Sequence, residues 1–277
     1  MSIFVALTSG VLWGCADFGG GFLAGRIPSI LVTFLVGLFG LAGLATFIVT
    51  TGTPITGGST LTFGVLAGLC APTAVLCFYQ ALAAGPMGIV AALSSTGIVV
   101  PIAVGLALGD TLTFMQSGGL ALVAVGIIAA TIPDPSAFAK LQARTLALAL
   151  ISALGFGTML TLYAAGAQSS VTSTLLFQRV TYVVIMAMFV ILMRPQMRFG
   201  TRNLPIAAGA GLGAVSASGL YALATQLGAV SISAVLASMS PVVTLVLARL
   251  LLQQRLSGLQ ALGTGAAISG VLILASY

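Results

Sequence analysis

Histidine and glutamate are absent from the 277 residues, and the only acids are Asp17, Asp110 and Asp134. General acid–base catalysis draws mainly on His, Glu and Asp, so it has few residues to run on here. Metal centres built from imidazole and carboxylate fail on the same ground. A membrane-embedded enzyme is therefore disfavoured and no cofactor is expected. Cysteine is scarce as well. Cys15, Cys70 and Cys77 lie in apolar runs, odd in number and without a CxxC pair, which argues against a disulfide framework or a zinc site. They read as buried small hydrophobes. Charge is scarcest of all, at 4% of residues against about 25% in a soluble domain. The net charge of +6 is spread singly over loops, which is no nucleic-acid signature. No basic region precedes the first apolar run, so the start of the chain reads as a span and not as a cleavable leader. A nucleotide-binding motif is also missing, which leaves nothing for ATP-driven transport by this chain alone.

What is present is hydrophobic: 59% of residues, with a mean hydropathy of +1.23. A span needs about 20 mainly apolar residues. Runs of that kind, punctuated by Gly, Pro and charge, occur near 3–25, 29–50, 60–84, 88–108 and 113–132, then near 145–166, 170–193, 204–228, 231–252 and 257–275. The fold class expected is all-α integral membrane, with ten transmembrane helices. The most polar stretch, 133–144 (PDPSAFAKLQAR), divides the chain nearly in half. The expected organisation is a five-helix unit at 1–132, a linker at 133–144 and a second five-helix unit at 145–277.

The halves resemble each other. An offset of 144 residues aligns Ser94 with Ser238, Leu106 with Leu250, Gln116 with Gln260, Gly119 with Gly263 and Gly126 with Gly270; an offset of 143 places Ser9 on Ser152, Gly14 on Gly157 and Trp13 on Phe156. Five spans per half force the second half to insert in the opposite sense. That is the inverted-repeat plan of secondary transporters, with the substrate site near the midplane.

Several motifs carry a family resemblance: LWGCADFGG (12–20), ALAAGPMGIVAAL (81–93), GDTLTFMQSGG (109–119) and SMSPVVTLVLARLLLQQRLSGLQALG (238–263). On these the chain resembles the EamA-type members of the drug/metabolite transporter superfamily over essentially its whole length. The resemblance implies ten helices in two inverted five-helix repeats, and movement of small metabolites, often amino acids and frequently outward. The family usually has Glu before Arg at the end of the ninth helix, where this chain has Gln254-Arg255; the matching position in the first half is Asp110. Both are read as helix-end caps, not as proton-coupling groups.

Two charges fall deep inside apolar stretches, Asp17 and Arg179. Even on lenient scales such a group costs about 2.5–3.5 kcal/mol at a helix centre, so it faces a partner or a cavity. Rise per residue sets the two about 9 Å apart along the membrane normal. They read either as a cavity pair holding a zwitterion or as a structural salt bridge between halves, and Asp17 alone is also a candidate proton carrier. Trp13 and Phe156, at matched positions, are candidate cavity walls. Tyr79, Gln80, Tyr163, Gln178, Tyr182, Tyr221 and Gln226 are polar tips that must find partners inside the bundle. Ser94 and Ser95 beside Gly97, and Ser238 and Ser240 beside Pro241, sit where a mid-span break would free backbone carbonyls. The candidate substrate-binding set is thus Trp13, Asp17, Tyr79, Gln80, Ser94, Ser95, Phe156, Tyr163, Gln178, Arg179, Tyr182, Tyr221, Ser238 and Ser240. Gly10/Gly14, Gly64/Gly68 and Gly209/Gly213 have the spacing of close helix contacts.

Together these point to a secondary carrier of small metabolites, amino acids first, export favoured; the alternatives are a channel-like facilitator or a carrier of nucleosides or sugars. The partners expected are a lipid bilayer, a small-molecule substrate and, as a candidate, a proton, with no nucleic acid and with monomer and oligomer both open. The cell membrane is the expected location, the inner one in a Gram-negative source. Arg26, Lys140, Arg144, Arg194, Arg198, Arg202 and Arg255 all project to one face and Asp110 to the other. The positive-inside rule then places both termini outside, whereas the family resemblance implies termini inside.

Overall fold

The computed structural model describes residues 1–85, 87–131, 142–195, 200, 203–252 and 257–276. Most of the polar connector, together with Pro86, Asp134, Lys140, Arg198, Arg202, Gln254 and Arg255, lies outside them. Among the described residues the chain is helical and has no strand. In order the helices are α1 (Ser2–Ala24), α2 (Ser29–Thr51), α3 (Ser59–Ala84), α4 (Met87–Ser95), α5 (Val99–Ala107), α6 (Phe114–Thr131), α7 (Ala143–Ala167), α8 (Val171–Met193), α9 (Leu204–Leu227), α10 (Val230–Ala237), α11 (Ser240–Leu252) and α12 (Gly258–Ser276). Among the described residues eight segments are long and apolar enough to cross a membrane, counting α4–α5 and α10–α11 as one segment each, and shorter apolar stretches occupy Phe114–Ala130 and Gly258–Leu274. The chain is a multi-pass membrane protein. Helix α7 starts at Ala143, inside the stretch expected to be linker.

Two segments expected as continuous helices, 88–108 and 231–252, are broken. The first tightens into a 3₁₀ turn at Thr96–Ile98 around Gly97. The second opens at Ser238 and Met239, just ahead of Pro241. Proline lacks an N–H and its ring clashes with the carbonyl four residues back, so α10 must end near Ala237; Pro241 then sits in the first turn of α11, where it is tolerated.

Packing is tightest where small residues let backbones meet. In the α6–α12 pair Gly119 faces Gly270 and Gly126 faces Gly263, so the helices run antiparallel and cross on glycines in both directions. Helices α2 and α8 are also antiparallel, with Gly37 under the Tyr182 ring and Gly40 beside Arg179. The same holds for α3 with α7, where Gly155 meets Ala74 and Gly166 meets Phe63, and for α1 with α9, where Ser9 Oγ donates to the Ala217 carbonyl at 2.7 Å. Parallel neighbours are α1 with α10–α11, through Gly10 on Ala237 and Thr244 Oγ1 donating to the Gly14 carbonyl at 3.0 Å, and α4 with α7, through Ser94 and Ser152 hydroxyls 2.6 Å apart. Of the expected glycine contacts, Gly209 meets nothing and Gly213 makes only ordinary contacts; Gly211, lying between them, presses on Val36 and Gly40 instead.

The matched glutamines have a shared physical cause. The Thr113 N–H donates to Gln116 Oε1 at 3.0 Å and the Gln116 N–H to Thr113 Oγ1 at 3.2 Å; the Ser257 N–H donates to Gln260 Oε1 at 2.9 Å and the Gln260 N–H to Ser257 Oγ at 3.3 Å. Each is a capping box at the start of a helix, satisfying two N–H groups that the helix leaves orphaned. Asp110 caps as expected, but the helix is not its own: its carboxylate accepts from the Ser231 N–H at 2.9 Å and hydroxyl at 2.8 Å, at the start of α10. The same end of the bundle holds two further bonds between early and late segments. The Thr56 N–H donates to Ser173 Oγ at 2.9 Å, and the Ser59 and Ser169 hydroxyls lie 2.8 Å apart.

Candidate functional site

The broken helices and their neighbours enclose a cavity of about 970 Å³ measured out to its mouth. Its wall comes from α1–α4, α7–α11 and the 3₁₀ turn, while α6 and α12 stay out of it. Every candidate residue except Gln80 and Tyr221 lines this cavity. Gln80 is half-buried outside it. Tyr221 is fully buried behind Trp13, ring centroids 5.8 Å apart, where it supports the tryptophan and cannot touch a cavity ligand. Polarity marked Tyr221 as interior, but not on which side of the wall it would stand.

Helical spacing puts Trp13 and Asp17, four residues apart, on one face of α1. Ser240 is the hydrogen-bonding neighbour of the Asp17 carboxylate. The Tyr79 hydroxyl rests against Gly20, within electrostatic reach of both Asp17 and Arg179. An aromatic wall follows from Phe78 and Phe156, edge to face at 5.5 Å, a favoured arrangement for ring pairs.

On the other side α8 and α9 supply a polar cluster. Arg179 Nη2 approaches Ser218 Oγ at 3.5 Å, and Ser218 in turn donates to the Ala214 carbonyl at 2.8 Å. Tyr163 hydrogen-bonds with Ser218, and the Tyr182 hydroxyl donates to the Thr33 carbonyl at 3.2 Å. Two cavity-lining atoms of this cluster, Gln178 Oε1 and Arg179 Nε, are buried without a partner. Asp17 and Arg179 share the cavity, yet no ion pair joins them. The structural salt bridge between halves is therefore corrected to two separate charges facing one space. An ionised group at either position carries a cost unless water or a ligand answers it.

The mid-span hydroxyls are mostly occupied. Ser94 is bonded to Ser152, which donates to the Ala149 carbonyl at 2.8 Å, and Ser238 donates to the Ala234 carbonyl at 2.7 Å. Both of these carbonyls lie one turn back in the donor's own stretch of chain, and the Ala234 carbonyl also accepts the Ser238 N–H at 3.0 Å, so the hydroxyls satisfy themselves and leave the breaks unanswered. Gly97 is a contact as well as a break: its position abuts the Ala153 carbonyl, and its own carbonyl abuts Gly157. Ser218 is the polar wall residue that sequence reasoning missed. A serine that can bond its own helix carbonyl gives no sign of facing a cavity. The described residues hold no cluster able to bind a metal ion.

Residues 143–276, from α7 to the end of α12, match the EamA-like transporter family. Its members are membrane transporters of small metabolites, and the EamA-like half contributes Phe156, Gln178, Arg179, Tyr182 and Ser218 to the cavity. No curated protein matches the chain by sequence. A crystal structure described only as that of a protein superposes with a TM-score of 0.81 at 17% identity, covering 98% of this chain and 95% of the other. At that identity the likeness speaks for the fold: the EamA-like half and the residues before it share one known architecture.

Proposed function

We propose that the chain is a secondary carrier that moves small metabolites, amino acids in the first place and outward by preference, by exposing its central cavity alternately to the two faces of the cell membrane. The proposed architecture is ten spans in two inverted repeats, 1–132 and 145–277. The antiparallel crossings of α6 with α12 and α2 with α8, each joining counterparts of the two halves, support it: counterparts run in opposite senses when halves insert in opposite senses. The stretches Phe114–Ala130 and Gly258–Leu274 are of spanning length at the short end of the range, about 17 residues.

The observation that carries the function is the central cavity walled by both halves, which holds Asp17 and Arg179 with no ion pair between them. A zwitterion of amino-acid size would answer both charges, and the apolar wall of Trp13, Phe78, Phe156 and Leu160 would take its side chain. Asp17 is the candidate for a coupled proton. The hydrogen bonds that tie early to late segments at one end of the bundle favour a gated carrier over an open channel. Counterflow in proteoliposomes tests the reading: saturable exchange of a labelled amino acid against the unlabelled one is expected. Flux without exchange would mean a channel, and exchange of nucleosides or sugars alone would move the substrate class.

A further inference from the structure

Arg179 and Gln178 are neighbours in α8, only 5% and 1% exposed, and both line the cavity. Each leaves one buried atom unanswered, the donor Nε on Arg179 and the acceptor Oε1 on Gln178. A guanidinium keeps its proton in any protein environment and presents a rigid fork of N–H donors. Here the fork has Ser218 Oγ at a long 3.5 Å and the Tyr182 ring centroid 5.9 Å from its central carbon, with no carboxylate paired to it. A bound group that satisfies both residues must bring an anionic, planar acceptor for the fork and, close beside it, an N–H or O–H for the glutamine.

We propose that Gln178, Arg179 and Ser218 form a subsite for a carboxylate bearing an adjacent donor, so that the acid group of a 2-amino or 2-hydroxy acid is what the cavity recognises first. The proposal rests on the cavity being the substrate site and adds which end of the substrate is obligatory. Planarity and a single negative charge suit the fork, which pairs two parallel N–H groups with two carboxylate oxygens. The donor on the neighbouring carbon satisfies Gln178, and either an ammonium or a hydroxyl can supply it. An amine without the acid leaves the buried guanidinium without an anion, the costlier error. At an offset of 143 residues the first half has Val36 and Val75, both lining the cavity, in place of Arg179 and Ser218. The acid group therefore has one place to bind and the substrate one polarity.

The test is binding to the purified full chain in detergent by isothermal titration, with matched probes on two bodies: phenylalanine, phenyllactate and phenylethylamine, and leucine, its 2-hydroxy acid and isoamylamine. On at least one body, the amino acid and hydroxy acid are expected to bind within a few-fold of each other and the amine at least about thirtyfold more weakly, the scale for removing one partner of a buried charge contact. Arg179→Gln should erase that preference by weakening the acids alone, and Gln178→Leu should weaken both acids while sparing the corresponding acid that lacks the 2-substituent. If Arg179→Gln does not fold, the probe series on the unaltered protein still decides. Equal binding of amine and acid, or no binding of any acid, overturns the subsite. Acids that bind without counterflow would leave the subsite standing and sink the carrier; counterflow of sugars with no acid binding would do the reverse.

Discussion

At positions 143 residues apart in the cavity wall, the first half presents Asp17 where the second presents Leu160, and the second presents Arg179 and Ser218 where the first presents Val36 and Val75. Away from the cavity the halves match closely. The capping boxes at Thr113–Gln116 and Ser257–Gln260 are the same device, and α6 crosses α12 through Gly119 on Gly270 and Gly126 on Gly263. Packing tolerates duplication because a helix crossing needs only small residues at the right turns. Recognition does not, because a ligand with two unlike ends needs two unlike ends in the wall. The capping boxes and the α6–α12 crossing occur in both halves, while Asp17, Arg179 and Ser218 in the cavity wall occur in one.

The largest effect expected is on the shared packing. Gly126→Leu and Gly263→Leu each push a side chain into facing backbone, and overpacking of this kind costs about 1–3 kcal/mol or more. Thermal unfolding of the two purified variants should show equal losses. A loss confined to one of them would break the equivalence of the crossings. Next comes the divergent wall. Asp17→Asn should lower counterflow by about tenfold or more, ~1.4 kcal/mol or above, in a protein that remains monodisperse. Leu160→Met, at the matched position, should lower it less; equal effects would mean that the polarity of the wall is immaterial.

A smaller change is expected at the helix breaks. Pro241→Ala restores a donor and should let α10 and α11 fuse, lowering the maximal rate a few-fold with apparent affinity changed much less. An unchanged rate would make the break a packing feature. Gly97→Ala cannot serve as its mild partner, because the added carbon would meet the Ala153 carbonyl. The smallest effect belongs to the caps: Gln116→Ala and Gln260→Ala should each cost about 0.5–1 kcal/mol of thermal stability, alike within error. Unequal costs would show that one box carries a further contact.

Helix positions were legible in the sequence because an apolar run bounded by Gly, Pro or charge has few other uses. The two cavity charges were legible for the same reason, since Asp17 and Arg179 contradict their surroundings. Gly97 and Pro241 announced the breaks through backbone chemistry alone. What stayed hidden depends on tertiary distance. Asp110 reads as the end of its own helix, while its partner Ser231 lies 121 residues away. Tyr221 and Tyr163 look alike in sequence, yet one props Trp13 from behind and the other lines the cavity. The Asp17–Arg179 salt bridge failed for a related reason: a depth offset says that two groups could meet, not that the space between them is left for something else.

The hydrogen bonds of Asp110 with Ser231, Thr56 with Ser173 and Ser59 with Ser169 gather at one end of the bundle. Perfectly alike halves would give two arrangements of equal free energy, one closed at each end. Neutral bonds contribute about 0.5–1.5 kcal/mol each and one to a charged group about 1.5–3, so these together stabilise the arrangement with this end shut by a few kcal/mol. For a carrier of the proposed kind, the empty protein would then dwell with this end shut, and substrate would have to favour the other arrangement to draw it across. In such a carrier the return of the empty protein would be the slow step, and exchange of one solute molecule for another would outrun net movement.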